Sequence, residues 1–179
     1  RIYALWVLLI FFLCAANGNA AELWWGNYSD QTQSLTGNSQ LGTYEAAMFV
    51  SGTGDFQGIK ISGLRFRSRL YSNATDVKVW VRSALDGSNL AEATVSNPGK
   101  SSTEWSQATF DQPVDVPAEG VYVGYSFTLS SWYSDYDYTP VVYAKKVTEK
   151  SFYLKQPTET AFTDKSATGC LAAQVSISG

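Results

Sequence analysis

This sequence predicts an all-β fold: two antiparallel sheets packed as a β-sandwich of jelly-roll type, built from about ten short strands and preceded by a signal peptide. Three observations carry that expectation. Aromatics make up 15% of the chain, and β-branched residues recur with them in short runs. Those runs are separated by Gly, Pro, Asn and Asp at roughly eight-to-fifteen-residue spacing, the punctuation of strands and turns. Finally, the two clearest runs alternate with a period of two, as a half-buried strand must. A closed barrel is the competing architecture.

The chain opens on a different pattern. After Arg1 comes an apolar run from Ala4 to Leu13, then the small, polar segment "CAANGNA", with Gly18 and Ala20 at the −3 and −1 positions. A charged start, a ten-residue apolar segment and small residues before the cut describe a secretory signal peptide over 1–20. The run is shorter than the ~20 apolar residues of a membrane span, so no span is expected after cleavage. Lipidation at Cys14 is disfavoured, because Phe11-Phe12-Leu13 are bulky where such signals want small side chains. Residues 21–179 are then one β-sandwich domain, and the chain is expected to be secreted or held at the cell surface.

Leu23 to Tyr28 ("LWWGNY") opens the mature chain as a strand, its adjacent tryptophans on opposite faces. Thr43 to Val50 has a helix-like Glu-Ala-Ala-Met, but its length of eight favours a strand. In Gly58 to Arg67, Ile59 and Ile61 share one parity while Leu64 and Phe66 share the other. Gly63 between them predicts a bulge that re-phases the strand. Asp76 to Ser83 places Val77, Val79 and Val81 toward a core and Lys78, Trp80 and Arg82 outward. Trp80 on that polar face is either covered by a neighbouring cationic side chain or left exposed.

"DGSN" turns the chain into Leu90 to Ser96, and Glu104 to Phe110 follows. "VPAEG" (116–120) leads into the strongest strand, where Val121, Val123, Tyr125, Phe127 and Leu129 alternate with Tyr122, Gly124, Ser126 and Thr128. Val141 to Lys146, Ser151 to Gln156 and Gly169 to Ser178 complete the set.

Composition excludes more than it identifies. Loss of Arg1 with the leader moves the formal charge from −3 to −4, the wrong sign for a nucleic-acid partner. With no histidine in the chain, Ser-His-Asp and Cys-His arrangements and most zinc sites disappear together. Cys170 has no partner in the mature chain, and its setting between a glycine and an apolar run predicts a buried, inert thiol. No cofactor and no metal site are expected.

The candidate site is "SSWYSDYDYTP", 130 to 140. If extended, it puts Trp132, Tyr136 and Tyr138 on one face and Tyr133, Asp135 and Asp137 on the other. Packing of Trp132 and Tyr136 under a sheet is one reading. Ligand contact is the other: a pyranose stacks its C–H face on an aromatic ring while carboxylates accept from its hydroxyls. Asp135 and Asp137 alone, without a third ligand or loop glycine, make a poor calcium site. Two carboxylates could serve a glycosidase, yet no spacing singles out a pair among the 16 acids, so catalytic residues are not expected.

Several phrases also occur together and in order: "ELWWGNYSD" directly after the leader, "TYEAAMFVSGTGDFQGIKISGLRF", "VKVWVRSAL" and "VPAEGVYVGYSFT". The mature chain over most of its length resembles the N-terminal domain of large secreted or surface proteins of gut Bacteroidales, in which repeats or adhesion-type modules follow. The resemblance implies a β-sandwich at the cell surface and a downstream domain beyond Gly179. It carries over no catalytic residues. The resulting expectation is an exported, non-catalytic recognition or adhesion module for a glycan or surface protein. A spacer docking to a neighbouring domain and a glycosidase-like enzyme are the alternatives.

Overall fold

The computed structural model describes residues 23–28, 33–37, 40–131 and 139–178. The expected leader, 1–20, and the candidate site residues Trp132, Tyr133, Asp135, Tyr136, Asp137 and Tyr138 lie outside the described residues.

The described residues are all-β, with antiparallel sheets arranged as a sandwich. Their strands are β1 (Leu23–Trp25), β2 (Gln33–Thr36), β3 (Gly42–Val50), β4 (Lys60–Arg67), β5 (Ala74–Arg82), β6 (Asn89–Thr94), β7 (Trp105–Asp115), β8 (Val121–Leu129), β9 (Val141–Ala144), β10 (Tyr153–Lys155), β11 (Thr163–Asp164), β12 (Cys170–Leu171) and β13 (Ala173–Ser178). A 3-10 turn spans Gly54–Phe56, and among the described residues no helix is long and apolar enough to cross a membrane. One layer is the six-stranded sheet β11-β10-β3-β8-β5-β6. Facing it is the four-stranded sheet β1-β13-β4-β7, and β12-β9-β2 forms a third, smaller sheet. That third sheet continues from the end of β4: Ser68 bridges Val141, and the Arg67 amide donates to the Ala172 carbonyl at 2.8 Å.

Alternation decides which side chains meet between the layers. On β3 and β8, the inward pairs are Tyr44 with Phe127, Ala46 with Tyr125, Met48 with Val123 and Val50 with Val121. Val79 and Val81 of β5 continue the same surface, as the sequence predicts. Ile61, Leu64 and Phe66 descend from β4 to meet them, with Val175 of β13. The small side chain of Ala46 opposite Tyr125 leaves room for Phe66, whose ring stacks on Tyr125 at 3.8 Å between centroids and 8°. Such a pair adds ~0.5–1.5 kcal/mol beyond its buried area. Burial pushes the Tyr125 hydroxyl far above the usual phenol range.

The expected bulge is present. The β4–β7 register shifts between Ile61 and Gly63, and this is how Ile61 and Leu64, of opposite parity, both point inward. The helix-like Glu45-Ala46-Ala47-Met48 lies in a nine-residue strand because every second side chain is needed by the core. Cys170 is free and fully buried beside Tyr28, Val142, Ala144 and Ala172, and burial raises its thiol pKa. Strands β2 and β11 are additions to the expected set. The final expected strand is broken at Ala172, where the chain leaves β9 and joins β4.

Candidate functional site

A polar recess lies where the chain crosses from one sheet to the other. Strand β6 is an edge of the six-stranded sheet and β7 an edge of the four-stranded sheet. The connection between them, 95–104, is held at several points. Val95 buries its side chain in the core and its amide donates to the Val77 carbonyl at 2.9 Å. Farther along, the Gly99 amide donates to the buried Ser106 hydroxyl at 2.8 Å, and the Lys100 amide donates to the Glu104 carboxylate at 2.8 Å. Only glycine fits at 99, since a Cβ there would stand 2.9 Å from Glu104 Cβ.

The result is a groove of about 540 Å³ lined by Thr94, Ser96, Asn97, Trp105, Gln107, Ala108 and Thr109. On β7 the alternation sends Ser106 and Phe110 into the core and leaves Gln107 and Thr109 exposed. Thr94, Ser96 and Asn97 are exposed as well, whereas Trp105 is half-buried. The lining thus consists of hydroxyls, two carboxamides, an indole and the Ala108 methyl, with no ionisable side chain among the described residues.

Trp105 is held by two cations. Arg65 lies 4.6 Å from both the Trp24 and Trp105 ring centroids, and Arg67 lies 4.5 Å from Trp105 and 5.3 Å from Tyr28. Aromatic rings and guanidinium groups therefore alternate in the order Trp24 on β1, Arg65 on β4, Trp105 on β7, Arg67 on β4 and Tyr28 just beyond β1. A cation–ring contact contributes about 0.5–1 kcal/mol where it is exposed and about 2 kcal/mol where it is desolvated. The cations are also tied by hydrogen bonds. Arg65 donates twice to the Gln174 side-chain oxygen, at 2.8 and 2.5 Å, while Arg67 donates to the Tyr28 hydroxyl at 2.9 Å. With its carboxamide oriented so that each atom meets a partner of the right sense, Gln33 accepts through its oxygen from Arg67 at 2.7 Å and from Tyr28 at 2.6 Å. Its nitrogen donates at 3.0 Å to the carbonyl of Ser102, within the connection that borders the groove.

The outward face of the six-stranded sheet is closed by comparison. Trp80 packs against Gly124, where a Cβ would stand 2.5 Å from the indole, and the Arg82 guanidinium covers it at 3.8 Å. Phe162 meets it edge-on at 6.3 Å. Arg82 in turn pairs with the Glu45 carboxylate at 2.8 Å. Thus the alternative left by the sequence resolves as cover by a cation, and Trp80 is a packing residue. Phe49, Tyr122 and Tyr153 extend this aromatic band along the same face. Burial, with the charge of Asp164 and contact with Tyr122, pushes the Tyr153 hydroxyl up to about 12.

Trp24 and Trp25 do face opposite ways: Trp24 joins the cation row, and Trp25 packs on the core and on Phe56 at 4.4 Å. Asn73, in a glycosylation-type tripeptide, is buried and donates to the Ser131 carbonyl at 2.5 Å. No group of three or more His, Cys, Asp or Glu side chains suited to a metal ion occurs among the described residues. Sequence reasoning missed the groove. Its one local signal was the exposed parity Trp105, Gln107, Thr109 following an Asn97-Pro98-Gly99 turn.

Comparison of the chain with protein-family models, curated proteins and solved structures finds no match.

Proposed function

We propose that this chain is an exported, non-catalytic recognition module at a bacterial surface, binding a glycan in the groove between β6 and β7. The observation that carries the reading is the lining of that groove: hydroxyl and carboxamide groups that both donate and accept, beside an aromatic rim, in a recess of ligand size. Hydrolysis would need a positioned acid and base, and among the described residues no carboxylate lines the groove. Export rests on the leader-like pattern of 1–20, and a surface setting on the resemblance of the mature chain to Bacteroidales surface domains. A jelly roll is supported by the strand orders β1-β13-β4-β7 and β3-β8-β5-β6, the sequence of neighbours that two Greek keys produce. The aromatic segment containing Trp132, Tyr133, Asp135, Tyr136, Asp137 and Tyr138 is proposed as a second ligand contact.

A glycan-array screen tests this reading, with the wild type beside Trp105→Ala/Gln107→Ala and Trp132→Ala/Tyr136→Ala, each checked by circular dichroism. Loss of binding in the first folded double variant places the ligand in the groove, and loss in the second places it on the aromatic segment. A folded wild type that captures no glycan overturns the proposal.

A further inference from the structure

Given a glycan ligand, as proposed above, we infer that the groove takes a neutral saccharide and reads it by hydrogen bonds, with the Asn97 and Gln107 carboxamides determining specificity and Trp105 acting as a wall.

The first argument concerns Trp105. A sugar stacks best on a bare, electron-rich ring face, because its C–H groups carry the positive end of the contact. Two guanidinium groups already lie against this ring, at 4.6 and 4.5 Å from its centroid. They draw on the same π-electrons that a sugar would use, and as neighbours in an alternating row they occupy the ring where a pyranose would lie. Both are tied in place, Arg65 to Gln174 and Arg67 to Tyr28 and Gln33, so neither swings away to free the ring. What the indole offers the groove is its rim.

The second argument concerns charge. Asn97 and Gln107 each present two N–H donors and one carbonyl, and Thr94, Ser96 and Thr109 present hydroxyls that donate or accept. A sugar hydroxyl also does both, so every lining group finds a partner of the right sense. A sulfate or carboxylate only accepts, and it would leave the two carbonyls facing negative charge. No cation in the lining offsets its desolvation. Of the cations nearby, Arg65 is engaged by the Gln174 side-chain oxygen, Arg67 is buried against Trp105 and tied to Tyr28, and Lys78 is engaged at 2.6 Å by Glu92. The chain as a whole carries −3.

The test uses the purified chain and titration calorimetry with neutral oligosaccharides and their sulfated or uronate-bearing counterparts, at low and high salt. Neutral ligands are expected to bind with less than about a twofold change between the two salt conditions, since no ion pair is formed. Asn97→Ala and Gln107→Ala, both at exposed positions, should each weaken binding about tenfold, while Trp105→Phe changes it by less than about threefold. Binding confined to anionic saccharides and lost at high salt overturns this inference but leaves the recognition reading standing. The same holds for neutral binding that survives both amide variants and collapses with Trp105→Phe, which would mean stacking. Failure of every saccharide to bind overturns both.

Discussion

Trp80 and Trp105 occupy matching situations and end differently. Each projects from the outward side of a sheet, and each is packed by arginine: Arg82 lies two residues along β5 from Trp80, and Arg67 sits across from Trp105 on β4. Yet Trp80 is only 1% exposed, pressed onto Gly124 below and covered by Arg82 and Phe162 above. Trp105 is half-buried and borders a recess. The difference arises at the sheet edges. Trp80 stands on β5, which is paired on both sides, so neighbours close over it from two directions. On edge strand β7, Trp105 has a paired neighbour on one side, and on the other the crossing chain leaves a gap. An outward tryptophan is a packing residue when strands flank it and a candidate contact when one flank is open.

Four perturbations would break or sharpen that contrast. The largest effect is expected from Trp80→Ala, which empties a filled site and should cost about 3–5 kcal/mol in urea denaturation while leaving saccharide affinity unchanged. A cost below about 1 kcal/mol would show that the cover over Trp80 collapses easily and that the contrast is overstated. Gly124→Ala comes next. The added methyl collides with the Ala46 carbonyl oxygen and with the indole, and should destabilise by about 1–3 kcal/mol. Trp105→Ala should destabilise by roughly 1–3 kcal/mol through loss of two cation–ring contacts, about 0.5–1 kcal/mol for the more exposed Arg65 and up to about 2 for the buried Arg67. Equal losses for Trp80→Ala and Trp105→Ala would remove the distinction between them.

The smallest effect is expected from pH. Tyr153 titrates near 10 when unfolded and is held up to about 12 when folded, so the folded state retains a proton that the unfolded state gives up. Its contribution is fully present below pH 10 and is lost as pH rises toward 12. Tyr125, raised by burial alone, acts in the same direction. Urea midpoints should therefore fall above pH 10, with a shallower fall in Tyr153→Phe. An unchanged slope in that variant would mean that Tyr153 is not a contributor.

Much of the fold was legible residue by residue. The valines of 77–81 point inward, Gly63 marks a bulge, and Cys170 is buried, each from signals within a few neighbouring positions. Strand β2, "QSLT", escaped notice because four residues with one large apolar side chain carry no period. Strand β11 is two exposed residues paired to β10 and has no hydrophobic signal at all. The groove was illegible for a different reason. Thr94 to Asn97 and Trp105 to Thr109 are unremarkable apart, and they become a site only because β6 and β7 end in different sheets.

The amino-acid order alone therefore determined the class of structure and the inward face of its clearest strands, since side-chain alternation along a strand is a local property with a period of two. Tertiary structure decided which strands became neighbours, which tryptophan was covered and where an edge stayed open. Those outcomes depend on pairings between distant segments, such as β1 with β13 and β3 with β8. No local pattern encodes them, because the same alternating face can pack beneath many different partners.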